Sequence, residues 1–287
     1  MAIQGTTQVY GIIGFPITHS RSPVMQNAAF QATDRNAVYV PFEVHPDALA
    51  AAVSGLRALQ VAGWNVTIPH KTTIMPLLDE IAPEAEAAGA VNVVVNRSGR
   101  LIGHNTDGAG LLASLRDDLG CLVAGQQVVL LGSGGAARGA AAALCAAGAA
   151  SVSIFNRTVE TAHALVDALA SRYAETSLAA YPFEQLSSSL PTAGLLINTT
   201  SIGMRGEEIP GLRLDLLPKD AKVYDMVYGN PVTPLIRAAR QAGLQAADGV
   251  GMLVAQGELA YRIWFGDQPP QGGMRAALEV ALHTASA

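Results

Sequence analysis

Gly132-Ser-Gly-Gly-Ala-Ala137 is the stretch that decides the fold. It matches G-x-G-x-x-A, with the apolar run Val128–Leu131 before it and an alanine-rich helical stretch after it, the order of a strand, a turn and a helix that binds a dinucleotide. The glycines permit the tight turn and let backbone N–H groups approach a pyrophosphate, whose charge is favoured at a helix N-terminus. Gly132, Ser133, Gly134, Gly135 and Ala136 are therefore the first candidate cofactor-binding residues. A glycine-rich strand-to-helix turn that binds nothing is the plain alternative. About 20 residues beyond such a turn, sites that take NAD place an Asp or Glu on the ribose hydroxyl. Here that place holds Asn156-Arg-Thr158. A guanidinium suits a 2′-phosphate and no carboxylate is there to repel it, so NADP is expected over NAD. Arg157 as a solvated strand-end arginine is the competing reading.

Outward from this turn, strand-like and helix-like segments alternate. Upstream they are Val9–Gly14, Pro23–Ala32 (helical), Val38–Pro41, Asp47–Leu59 (helical) and Gly63–Val66. Around and after the turn come Gln127–Leu131, Ala136–Ala147, Ser151–Phe155, Val159–Tyr173, Gly194–Asn198, Lys222–Val227, Pro234–Ala242 and Leu244–Ala247, the pattern of a second, mostly parallel sheet. The expected fold class is α/β, with two open α/β domains. The break falls near Gly108, where Asn105-Thr-Asp-Gly reads as a turn and helix cap and Leu111, Leu112 and Leu115 give helical spacing.

At 287 residues the chain is long enough for two domains, each with a core of its own. The longest alanine-rich run, Gly139 to Ala150, is too short to span a bilayer, and the N-terminus lacks the basic and apolar segments of a secretory signal. A cytoplasmic location with no membrane contact is expected. Two cysteines, Cys121 and Cys145, make neither a disulfide framework nor a metal-ligand spacing. A net charge of −5 without a Lys/Arg cluster argues against nucleic acid. Small-molecule chemistry is left.

Asn65-Val-Thr-Ile-Pro-His-Lys71 and Asn105-Thr-Asp-Gly108 carry the candidate chemistry, a proton-transfer pair upstream of the cofactor turn. Lys71 follows an extended segment and Pro69, at the start of a helix expected through Thr72–Leu78, where the dipole opposes a cation. Asp107 precedes an apolar-periodic helix, so helix N-cap is its default role. Ser20 and Ser22 read as capping hydroxyls ahead of Pro23 at a first helical position, and equally as a cradle for a carboxylate. Thr67, Asn92 and Gln256 are neutral hydrogen-bonding groups suited to a polyol, or to satisfying a turn or core.

These segments together resemble the shikimate dehydrogenase family over almost the whole chain, from His19-Ser-Arg-Ser-Pro23 to Gly251-Met-Leu-Val-Ala-Gln256. The resemblance implies a substrate-binding and catalytic domain over 1–106, completed by C-terminal helices in 249–287, and a Rossmann-like NADP-binding domain over 107–248. It implies that Ser20 and Ser22 hold a substrate carboxylate and that Thr67, Lys71, Asn92, Asp107, Tyr228 and Gln256 surround the ring hydroxyls. Thr199, Thr200, Ser201, Met226, Gly249 and Met252 would join Asn156, Arg157 and Thr158 as cofactor contacts. The implied reaction is hydride transfer between NADPH and the C3 carbonyl of 3-dehydroshikimate. Lys71 would supply the proton and Asp107 would orient the hydroxyl, while the division of the proton between this coupled pair is left open. In the family, NADP-specific members commonly carry a second arginine after Asn-Arg-Thr; here Thr161 stands in its place, next to Glu160, which weakens the expected NADP preference and leaves NAD possible. Alternatives are a quinate/shikimate or aminoshikimate dehydrogenase with NAD or dual cofactor use and, from another class, a non-catalytic dinucleotide-binding module. The chain is expected as a monomer or homodimer.

Overall fold

The computed structural model describes residues 2–229 and 232–284, so the last three residues of the expected C-terminal segment lie outside the described residues. The chain divides into two compact units, 1–107 with 254–287, and 108–253. The expected breaks, after 106 and after 248, stand one and five residues from these. Asp107 sits with the first unit because its carboxylate bonds Lys71 and Asn92. Gly251 sits with the second because it packs against Ser114 and Asp118 so closely that a Cβ would collide with both.

In the first unit the strands are β1 (Gln8–Gly14), β2 (Ala37–Glu43), β3 (Gly63–Val66), β4 (Glu80–Ile81), β5 (Val93–Arg97) and β6 (Arg100–His104), in the order β2-β1-β3-β5-β6-β4. The first crossover is α1 (Ser22–Ala32), which begins with Pro23 in its first turn and buries Ser22, Met25, Gln26, Ala29 and Phe30 at helical spacing. The second is α2 (Leu49–Ala58), burying Leu49, Val53 and Leu56. The first joins the paired parallel strands β1 and β2, and the second carries the chain from β2 to β3, which lies parallel on the other side of β1. α3 (Pro83–Ala88) follows β4.

The sheet is mixed. β5 pairs antiparallel with β3 and β6, and β5 and β6 form a hairpin whose loop is Ser98-Gly99, both at positive φ, the geometry of a primed two-residue turn. The expected helix over Thr72–Leu78 does not form: a turn leads into a 3-10 segment at Met75–Leu77. Pro76 cannot sit inside a regular helix, and the Lys71 carbonyl accepts from Val91 N–H at 2.8 Å instead of from a following turn. Ile13, Trp64, Val66, Ile74, Val91, Val94 and Leu101 form the core of this unit.

In the second unit, β7 (Gln127–Leu131), β8 (Ser151–Asn156), β9 (Ser177–Pro182), β10 (Leu195–Asn198), β11 (Lys222–Asp225) and β12 (Gln245–Asp248) pair entirely in parallel, in the order β12-β11-β10-β7-β8-β9. This is the doubly wound Rossmann order, which reverses between β7 and β10. Between the strands run α4 (Asp107–Leu119, leading into β7), α5 (Gly135–Ala146), α6 (Val159–Ala170), α7 (Leu186–Ser189) and α8 (Pro234–Gln241). Strand residues such as Val128, Leu130, Leu195 and Ile197 feed one core, and Val129, Leu131, Leu196 and Val223 the other, so both faces are covered, which explains why these strands read as continuous apolar runs. The alanines of α5 let it pack close to its neighbours; a Cβ on Gly108 would press on Ala143. The last helices are α9 (Val250–Phe265) and α10 (Gly273–Thr284). Among the described residues no helix is long and apolar enough to cross a membrane.

Candidate active site

Three loops of the first unit converge on one hydrogen-bonded cluster. Lys71 enters from the turn after β3, Asn92 from the segment before β5, and Asp107 from the first residue of α4. Lys71 Nζ donates to Asp107 Oδ2 at 2.7 Å, and Asn92 Nδ2 donates to Asp107 Oδ1 at 2.8 Å. The two charged side chains keep 30% and 20% of their surface exposed, so the pair is screened from bulk water yet open to a ligand. Asn92 is 2% exposed and is itself locked, its Nδ2 also reaching Thr106 Oγ1 at 3.0 Å and its Oδ1 accepting from Thr106 N–H at 2.8 Å. Thr106 Oγ1 in turn donates to the Gln256 carbonyl at 3.1 Å, which ties Gln256 to the cluster through its backbone.

The helix-cap expectation for Asp107 is corrected by these bonds. Asp107 is the first residue of α4, its N–H donates to Asn105 Oδ1 at 3.0 Å in the turn that leads into the helix, and both its carboxylate oxygens go to Lys71 and Asn92. Ser20 and Ser22 are likewise not the cap of α1; the N-cap is Arg21, without a side-chain cap bond. Ser20 Oγ accepts from Ser22 N–H only at 3.4 Å. Among the described residues, the Thr67 hydroxyl has no protein partner, while its N–H is fixed by the Ile13 carbonyl at 3.0 Å.

Sequence reasoning passed over two buried members of the same cluster. Asn65 Nδ2 donates to the Asn92 carbonyl at 3.0 Å and its Oδ1 accepts from the Tyr39 hydroxyl at 2.7 Å. Because the Asn92 carbonyl can only accept, the Asn65 amide cannot be turned round, and the Tyr39 proton must point at Asn65. Burial holds the Tyr39 hydroxyl well above the usual phenol range, and the Ser22 hydroxyl beside it lowers it again in part. An asparagine in an apolar strand, Trp64-Asn65-Val66, was the signal available. A buried amide needs partners, and here they are polar residues of the site.

The second unit carries the other candidates. Gly132 lies at φ +104°, and a Cβ there would meet the Thr199 hydroxyl at 2.8 Å, so conformation and close approach both require glycine. Gly134 and Gly135 face open space. Gly134 is the N-cap of α5 without a side-chain cap bond, and the exposed first N–H groups of this helix suit a pyrophosphate. Ser133 Oγ and Thr161 Oγ1 share a hydrogen bond of 2.6 Å, and Asn156 Nδ2 donates to Thr161 Oγ1 at 2.8 Å and to the Thr158 carbonyl at 2.9 Å. Arg157 is exposed beside this knot. Thr199 donates through N–H and hydroxyl to the Leu131 carbonyl at 2.9 and 2.6 Å, and Thr200 caps onto Asn198 Oδ1 at 3.0 and 2.7 Å; Ser201 is exposed just beyond. A Cβ on Gly249 would collide with the Met226 carbonyl and touch Tyr228, which places Met226, Tyr228 and Gly249 together at the ends of β11 and β12; Met252 follows in the first turn of α9. The residues at the β7–β10 reversal therefore fit a dinucleotide.

Comparison with known proteins agrees with this geometry. A model of the shikimate dehydrogenase substrate binding domain matches residues 12–94, one of shikimate / quinate 5-dehydrogenase matches 116–204, and one of the shikimate 5′-dehydrogenase C-terminal domain matches 249–279. The chain is 50% identical over 286 residues to the shikimate dehydrogenase (NADP(+)) of Citrifermentans bemidjiense, covering 99% of each chain. It is 34% identical to the shikimate 5-dehydrogenase of Thermus thermophilus solved with NADP(H) and shikimate, with a TM-score of 0.85 over 96% of this chain and 100% of that one. With the shikimate dehydrogenase of Aquifex aeolicus the identity is 38% and the TM-score 0.87, over 96% and 99%. A relative this similar over its full length makes the chain a member of the shikimate dehydrogenase family.

Proposed function

We propose that this chain interconverts 3-dehydroshikimate and shikimate with NADP as hydride carrier, and that Lys71 and Asp107 handle the hydroxyl proton. The observation that carries the reading is the Lys71–Asp107 pair, 2.7 Å long and held in place by Asn92. The chain is an NADP-dependent oxidoreductase acting on a CH–OH group. When bound, the nicotinamide supplies or accepts the hydride. The protein positions the carbon and moves the proton. In the reductive direction Lys71 Nζ gives a proton to the carbonyl oxygen as it becomes a hydroxyl, and in the oxidative direction it takes that proton back. Asp107, anchored by Asn92 on one oxygen, keeps the ammonium aimed with the other. Ser20 and Ser22 receive the substrate carboxylate, while Thr67, Asn92 and Gln256 contribute to binding the hydroxyls.

The Gly132–Ala136 turn and the start of α5 hold the pyrophosphate, and Asn156, Arg157 and Thr158 the adenosine phosphate end. Thr199, Thr200, Ser201, Met226, Gly249 and Met252 line the remaining length of the cofactor. One observation favours a second reading, with NAD as an additional carrier: the Thr161 hydroxyl already bridges Ser133 and Asn156, where an arginine would add a second cation for the 2′-phosphate.

Initial rates of NADP⁺ and NAD⁺ reduction, each with shikimate and with quinate, test the proposal. The expected result is fastest reduction with shikimate and NADP⁺. Faster reduction with quinate or NAD⁺ overturns the substrate or cofactor assignment, and no reduction with any pair overturns the activity.

A further inference from the structure

Asp225 ends β11 with 0% of its surface exposed, and its carboxylate accepts three hydrogen bonds from neutral donors on three different segments. Asn198 Nδ2, at the end of β10, donates to Oδ1 at 2.9 Å. Val227 N–H, just past β11, donates to the same oxygen at 3.1 Å. The Thr233 hydroxyl, which caps α8 by accepting from Ile236 N–H, donates to Oδ2 at 2.7 Å. Each partner directs another piece of backbone. Asn198 also donates to the Ile202 carbonyl at 3.1 Å and accepts from Thr200, so it shapes the turn that carries Thr199, Thr200 and Ser201. Thr199 closes this arrangement on the cofactor turn through Leu131, beside Gly132.

A buried carboxylate is a costly way to join neutral groups. Burial pushes the Asp225 carboxyl up from the usual range, so its desolvation is incompletely offset. What it offers is acceptors only. An uncharged amide would place a donor against the Thr233 hydroxyl and reverse the direction of that bond. The three segments it joins lie at the carboxyl ends of β10 and β11, beside the β7–β10 reversal where ligands of this fold sit.

Building on the cofactor assignment above, we propose that Asp225 is a positioning residue for the nicotinamide half of the dinucleotide: it sets the Thr199–Ser201 turn and Met226 without touching the cofactor itself. The adenosine phosphate end, held by Asn156–Thr158 on β8 and the start of α6, is independent of it.

The test compares binding of NADP⁺ and of adenosine 2′,5′-bisphosphate, which lacks the nicotinamide half, to the wild-type protein, to Asp225→Asn and to Thr233→Val, by titration calorimetry. Both variants are expected to weaken NADP⁺ about tenfold and to leave adenosine 2′,5′-bisphosphate within twofold of wild type. Thr233→Val removes one donor and keeps the carboxylate, so it reads the same network if Asp225→Asn fails to fold. Unchanged NADP⁺ binding in a folded variant, or equal weakening of both ligands, overturns the inference. A wild-type chain that binds neither ligand overturns the cofactor assignment itself, and the inference with it.

Discussion

Asn92 Nδ2 and Asp107 Oδ1 are 2.8 Å apart, and this contact aims the carboxylate that holds Lys71. Asn92→Ala removes the anchor and leaves Asp107 free to rotate. A reacting group misplaced by about 1 Å lowers rate by about 10²-fold. The expected outcome is therefore a fall of that order in kcat with shikimate while the KM for NADP⁺ stays within twofold. Steady-state kinetics with each substrate varied in turn reads both, and an unchanged kcat would show that Asp107 needs no such anchor.

Gly132→Ala tests the cofactor turn. A left-handed φ with a side chain costs about 1–3 kcal/mol, and here the new methyl also pushes on the Thr199 hydroxyl. Thermal unfolding of the apoprotein should fall to lower temperature, and the KM for NADP⁺ should rise by an order of magnitude or more. Wild-type values for both would mean the turn tolerates a Cβ and is an ordinary connection.

On the proposed reading the choice of cofactor rests on Arg157. Arg157→Ala should lower kcat/KM for NADP⁺ about tenfold, the effect of losing one charge-assisted hydrogen bond, with little change for NAD⁺. Thr161→Arg should move the ratio the other way, although it also breaks the bridge from Ser133 to Asn156. A preference unmoved by either substitution would place recognition of the 2′-phosphate elsewhere.

Alkaline stability has a defined sign at Tyr10. Burial against Phe30, Trp264 and Phe265 raises its hydroxyl from 10.0 to about 12, opposed in part by the charge of Arg35. Between those values the unfolded chain has released the proton and the folded chain still holds it, so stability falls as pH rises from 10 towards 12. Tyr10→Phe should make that fall shallower in urea titrations across the window. Some slope will persist, because burial also raises Tyr39 and Tyr224. An identical slope in the variant would contradict the assignment.

The central strands of the second unit were legible in the sequence because they are buried on both faces, and Gln127–Leu131 has the expected limits, whereas the edge strand β9 (Ser177–Pro182), only partly buried, was not expected. The first unit was less so. Its hairpin Val93–His104 turns on Ser98-Gly99, a dipeptide that signals a turn only once the flanking valines are read as strands. The helix expected after Lys71 failed because a local pattern could not anticipate that Val91 takes the Lys71 carbonyl. Lys71 and Asp107 were legible as residue types, yet their pairing joins positions 36 apart, with the Asp107 backbone held by Asn105. Tyr39 and Asn65 were missed for a related reason: their function is to satisfy each other and Asn92 inside the protein, and such a role exists only in three dimensions.

The most direct measurement is single-turnover formation of NADPH from saturating shikimate and NADP⁺ by the wild-type protein and by Lys71→Ala, with shikimate binding to each measured separately. If Lys71 carries the proton, wild type turns over and the variant, while still binding both ligands, is slower by about 10²–10⁴-fold. A variant that forms NADPH at the wild-type rate would contradict the account.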